Sequence, residues 1–139
     1  MLVTNLKILE TLSILQNFEE KKFPQKISYG IIKNLQILNR EREIYLKGLD
    51  KIIADYSEYL QRNEEGKIIL NKNGLPIVND EDMKNNFYKE IDELLSIQIE
   101  INPYFIPEAT FDYENSNGRY DELSLKETIL LMSILCSEE

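Results

Sequence analysis

Ile27 to Arg62 reads ISYGIIKNLQILNREREIYLKGLDKIIADYSEYLQR. Ile31, Leu35, Leu38, Arg42, Tyr45, Leu49, Ile52, Tyr56 and Tyr59 recur at gaps that alternate four and three residues. That is the repeat of a helix with one apolar seam. No proline interrupts it. A helix over residues 27–62 would run roughly 50 Å at about 1.5 Å per residue. So long a seam needs a partner along it, from this chain or from a second copy. Arg42 stands where an apolar residue is expected. Either its stem crosses the seam and its charge reaches water, or it forms a buried ion pair with Asp92 or Glu93 that fixes register.

The chain before the seam carries a shorter helix, over about residues 4–18. Thr4 or Asn5 can cap it, because a short oxygen-bearing side chain accepts from free N–H groups of the first turn. Leu6, Ile8, Leu9, Leu12, Ile14 and Leu15 give it a broad apolar face. Phe23-Pro24 breaks it, since the residue before proline is pushed out of helical geometry. A connection this short folds two helices back as an antiparallel hairpin. The first helix should therefore cover the N-terminal half of the long one.

Beyond the seam, Asn63-Glu64-Glu65-Gly66 ends the long helix. Lys67 to Leu70 and Leu75 to Val78 flank Asn71-Lys72-Asn73-Gly74. Asn-Gly supplies the backbone angles of a tight turn, which predicts a β-hairpin over about 67–78. Pro76 lacks an N–H, so its strand should be an edge or irregular. Asn79 then caps a helix over about 80–97, with Asp80, Glu81 and Asp82 complementing its dipole. Met83, Phe87, Ile91, Leu94 and Leu95 form its apolar face, suited to the C-terminal half of the long helix. Ile99-Glu100-Ile101 alternates as a short strand. Pro103 and Pro107 forbid regular helix around Tyr104, Phe105 and Ile106, which predicts an extended segment laid over the helices. A last helix, about 125–136, opens on Ser124 and Glu127 at capping-box spacing. It is apolar almost all round, so it is either buried or an interface.

The whole is the size of one domain, 139 residues and 42% hydrophobic. The expected architecture is a single, mainly α (α+β) domain: a helical bundle around one long helix, with a small β-hairpin. No apolar run approaches the ~20 residues of a membrane span. The start of the chain lacks a secretory pattern. One cysteine, Cys136, cannot form an internal disulfide, which suits a reducing compartment. Its neighbours Glu138 and Glu139 would disfavour a reactive thiolate.

The chain has no histidine, which removes Ser-His-Asp and Cys-His chemistry and His-containing zinc sites. Net charge is −9, against general affinity for phosphate backbones. That charge is uneven. Residues 1–79 hold 12 Lys+Arg and 10 Asp+Glu, whereas residues 80–122 hold 3 and 12. Asp112, Glu114 and Ser116 fall at calcium-loop offsets. However, Gly118 comes one place late and Leu123 stands where a bidentate Glu is needed. The expectation is an ordinary polar loop, no metal, no cofactor and no enzyme. Dense carboxylates can instead engage a basic groove on another protein. Asp112, Glu114, Asp121 and Glu122 are the candidate partner-binding residues.

Several features in order, more than any motif, carry a likeness. They are the leucine-rich first helix, Lys22 to Asn34 (KFPQKISYGIIKN), and the charged helix with Glu41, Arg42, Glu43 and Tyr45. A glycine-containing hairpin follows, then Phe87, Glu90, Glu93-Leu94-Leu95 and Ile99-Glu100-Ile101, then the late Leu-Ser-Leu-Lys-Glu helix. This resembles a family of short proteins of unknown function encoded by phages and prophages of Gram-positive bacteria. The resemblance covers almost the whole chain and transfers no catalytic residue. It implies a phage protein in the host cytoplasm, or in the virion. The leading expectation is a non-enzymatic protein that binds another protein. It would inhibit a bacterial defence complex, as an anti-CRISPR protein does, by meeting its nucleic-acid-binding surface with acids. The alternative is a structural or assembly accessory, a tail module or chaperone, acting through residues 125–136. A homodimer through the seam or the terminal helix fits either, with no direct nucleic-acid or membrane contact.

Overall fold

The structure, a computed structural model, describes residues 1–136. It is mainly α-helical, and the long helix is present as α2, Gln25–Asp55. The other elements are β1 (Leu2–Thr4), α1 (Asn5–Gln16), α3 (Glu81–Leu95), β2 (Gln98–Glu100) and α4 (Leu125–Leu135). The chain packs as two compact units: Met1–Arg42 with Gln98–Glu139, and Glu43–Ile97. Helix α2 contributes residues to both.

In the first unit, Ile8, Leu12 and Leu15 of α1 share a core with Ile27, Ile31, Leu35 and Leu38 of α2 and with Leu131 and Leu135 of α4. Thr4 caps α1, its hydroxyl accepting from the Lys7 N–H at 3.1 Å. Pro24 opens α2: its carbonyl accepts from the N–H groups of Ile27 and Ser28. Proline fits this place, since a first-turn N–H has no helical partner anyway. Gly30 lets the chain pack closely; a Cβ there would lie 3.3 Å from Ile106 Cγ2. Arg42 is exposed, so the seam carries no buried charge there.

The sheet is not the expected hairpin. It joins β1 to β2, antiparallel, with Val3 opposite Ile99. Strand β2 falls where the Ile99-Glu100-Ile101 alternation put it, but β1 lies in residues that show no strand pattern alone. After β2 the chain is extended, as its prolines require, and it is stitched down at three places. The Ile101 N–H donates to the Met1 carbonyl at 3.0 Å, and the Ile106 N–H donates to the Leu135 carbonyl at 2.8 Å. Between them, the side chain of Asn34, only 3% exposed, takes both backbone groups of Tyr104.

The second unit departs further from expectation. Helix α2 stops at Asp55, a 3-10 turn covers Ser57–Tyr59, and Leu60 is extended. The periodic seam continues to Tyr59, but Leu60 is needed in a core with Val78, Phe87 and Ile91. Its neighbour Gln61 pairs elsewhere. The Gln61 N–H donates to the Ile77 carbonyl, Ile77 to Ile69, and Ile69 back to Gln61, at 2.8, 3.1 and 2.9 Å. Three short segments thus close a ring of single bridges, Leu60 to Val78, Arg62 to Ile68 and Leu70 to Pro76. Two equivalent turns join them. The side-chain oxygen of Asn63 accepts from Glu65 and Lys67, and that of Asn71 from Asn73 and Leu75. Gly66 and Gly74 supply positive φ, +81° and +79°. The Asn-Gly turn is therefore where it was expected. Regular strands over 67–78 do not form, because the 60–62 segment takes part of their hydrogen bonding.

Helix α3 packs on the second half of α2 as expected, with Leu94 against Gly48. Its cap is Asp80 rather than Asn79: the Asp80 carboxylate accepts from the Met83 N–H at 3.0 Å. Phe87 is fully buried and meets Tyr56 and Tyr88 edge to face, at 5.3 Å each. Phe87→Ala should cost about 3–5 kcal/mol. Urea denaturation followed by amide exchange should show protection lost first over residues 43–97.

Candidate functional site

The predicted partner-binding residues all lie in the first unit, around the entry to α4. Asp112, Glu114, Asp121 and Glu122 are exposed. The loop carrying them is ordered by local bonds. The Tyr113 and Tyr120 rings meet edge to face at 5.4 Å, and Asn115 holds the Tyr120 backbone through both its side-chain amide groups. The acids therefore flank two tyrosines in contact, which brings Asp112 and Glu114 to the same end of the loop as Asp121 and Glu122. Burial, then the Asp121 charge, push the Tyr113 phenol up.

The four carboxylates are not equivalent. Asp121 accepts from the Lys22 N–H, and its own N–H donates to the Lys22 carbonyl at 2.8 Å. It joins two chain segments and is structural. Glu114 accepts from the Ser116 hydroxyl. Other acids of residues 80–122 are also occupied. Asp80 caps α3, and Glu100 meets the Met1 amino group. The acidic stretch is moreover divided between the two units, Asp80 to Glu93 in one and Glu100 to Glu122 in the other.

The apolar surface of helix α4 is divided between a buried face and an exposed one. Leu131 and Leu135 are fully buried, whereas Leu125 is 77%, Ile129 60% and Leu130 37% exposed. Leu125 and Ile129 are one turn apart and share a face. The capping box forms as read: Glu127 N–H to the Ser124 hydroxyl, and Ser124 N–H to the Glu127 carboxylate, both 3.1 Å. The bond from the Ser124 backbone, and then that from its hydroxyl, hold the Glu127 carboxyl below its ordinary value, with Lys21 nearby adding a little.

The remaining edge of α4 lines a cavity of about 440 Å³ together with β1, α1, α2 and residues 101–105. Ile8, Leu38 and Ile101 reach it from the core, and Lys7 and Ser133 from solvent. Cys136 also lines it; burial and then the Glu108 charge raise its thiol, which keeps it protonated. Glu138 and Glu139, expected to do the same, lie outside the described residues. Sequence reading missed this cavity, because its wall depends on the Asn34–Tyr104 contact across 70 positions.

Among the described residues, no cluster of three or more Cys, Asp or Glu side chains is placed to hold a metal ion. No described helix is long and apolar enough to cross a membrane. No protein-family model, curated protein or solved structure matches the chain.

The capping box makes a pH-dependent contribution. A depressed carboxyl stabilises fully above its unfolded value, and that contribution is lost as pH falls through the lower folded value. Thermal melts from neutral to acid pH should show a loss that Ser124→Ala makes shallower. Equal acid slopes in the two proteins would contradict this assignment.

Proposed function

We propose that this chain is a non-enzymatic protein that works by binding another protein, with the outer face of α4 as the principal contact. One observation carries this reading: Leu125 and Ile129 stand exposed, one turn apart, on a helix whose opposite face is locked into the core. Helix α4 is thus a fixed platform, and binding costs little reordering. Each large apolar side chain covered by a partner contributes about 1.5–3 kcal/mol. Together with the resemblance to phage proteins, this favours an assembly or structural accessory role, with self-association through α4 as one form of it.

The second reading is an inhibitor of a host defence complex, acting through acids against a basic nucleic-acid-binding surface. Its support is the ordered loop that displays Asp112, Glu114 and Glu122 beside α4. Steering by such charges weakens as salt rises.

Two variants separate the readings. Ile129→Asp keeps the buried face of α4. A triple neutralisation of Asp112, Glu114 and Glu122 leaves the structural Asp121 alone. Light scattering of the pure chain, and capture on the tagged chain from infected-host lysate at two salt concentrations, are the readouts. The α4 reading predicts that Ile129→Asp weakens association at least about tenfold, a change of about 1.4 kcal/mol, while the triple variant does not. The opposite pattern, with a salt-sensitive nucleoprotein complex recovered by the parent, supports the inhibitor. Leu131→Asp is unsuitable, because Leu131 is fully buried.

A further inference from the structure

We infer that the cavity of the first unit is a binding site for a small amphiphile, with an apolar body and one carboxylate head read by Lys7. This goes beyond the protein-binding role of the outer face of α4. The volume, about 440 Å³, lies in the usual range for small-molecule sites, about 300–1,000 Å³. Its depth is apolar. Ile8, Leu38 and Ile101 form buried wall, and Ile14, Ile37 and Ile134 are half-buried around it.

The polar groups of the lining decide what the head must be. The Thr11 hydroxyl donates to the Lys7 carbonyl at 2.7 Å, and the Ser133 hydroxyl to the Leu130 carbonyl at 2.6 Å. The Asn34 amide is used in full by Gly30 and Tyr104. The Met1 amino group is engaged by Glu100 and the Ile101 carbonyl. The thiol of Cys136 is a weak donor. Lys7 remains, exposed, with three donors and no ion pair among the described residues. No Asp or Glu is among the described residues of the lining, although the chain carries 25 acids. Among the described lining residues the charged groups are Lys7 and the Met1 amino group, and both would repel a ligand cation. A carboxylate, which only accepts, complements Lys7. The apolar depth, open to solvent on the Lys7 and Ser133 side, suits a medium-length alkyl chain.

The test uses the whole chain with decanoate and decanol, titrated calorimetrically below their self-association limits. Methyl shifts of Ile14, Ile37 and Ile134 locate binding. Decanoate should bind more tightly than decanol and shift those methyls. Lys7→Gln should weaken decanoate about fivefold, the size of a solvent-exposed ion pair, and leave decanol unchanged. Raised salt should narrow the difference between the two ligands. Ser133→Phe, which adds bulk at the exposed edge, should remove binding of both while the melt stays cooperative. The inference is overturned if decanoate does not bind, if decanol binds as tightly, if Lys7→Gln has no effect, or if the shifts lie elsewhere. None of these results bears on the outer face of α4, which Ile129→Asp tests separately.

Discussion

Asn34 is a buried polar side chain on the otherwise apolar buried face of α2, beside Ile31, Leu35 and Leu38. Its amide donates to the Tyr104 carbonyl at 2.8 Å and accepts from the Tyr104 N–H at 3.0 Å, while also donating to the Gly30 carbonyl at 2.8 Å. A side chain here does what a neighbouring strand would do. Residues 101–106 carry two buried apolar residues, Ile101 and Ile106, on a backbone that proline keeps from forming a helix. Such a segment can cover a core only if its polar groups find partners, because each one left unpaired costs about 1–3 kcal/mol. Asn34 supplies them in the middle, and Met1 and Leu135 at the ends. The apolar cavity and the seating of α4 both depend on that segment staying in place.

The helices were legible because their signal is local. The four-and-three spacing, the Thr4 cap and the Ser124–Glu127 box each lie within a few residues, and each is found in the structure. The errors fall where distant contacts decide. Tyr59 and Leu60 continue the helical period, yet Gln61 is held in a three-way pairing with Ile69 and Ile77, and the helix ends at Asp55. A signal for that ring was present: Asn63 and Asn71, Gly66 and Gly74, and Ile69 and Ile77 each stand eight residues apart. Strand β1 had no such signal, since its partner lies 96 positions further on, Val3 opposite Ile99.

The candidate site was legible in composition but not in role. Counting charges picks out Asp112, Glu114, Asp121 and Glu122, but cannot show that Asp121 ties Lys22 to the entry of α4. The sequence shows that α4 is apolar almost all round, but not that Leu131 and Leu135 face inward while Leu125 and Ile129 face water. That division makes α4 both a structural element and a displayed surface. Lys7 reads in the sequence only as a charge that interrupts the apolar start of the chain; the folded wall around it sets it against an apolar hollow.

The most direct test of this account is native-state hydrogen exchange at the Tyr104 amide. If Asn34 holds the extended segment against α2, that amide is protected to a degree close to the core amides of α1, although Tyr104 as a residue is 38% exposed. In Asn34→Ala its protection falls together with that of Ile106, while the amides of α3 keep theirs. Exchange of Tyr104 in the parent protein at the rate of a solvated loop amide would contradict the account.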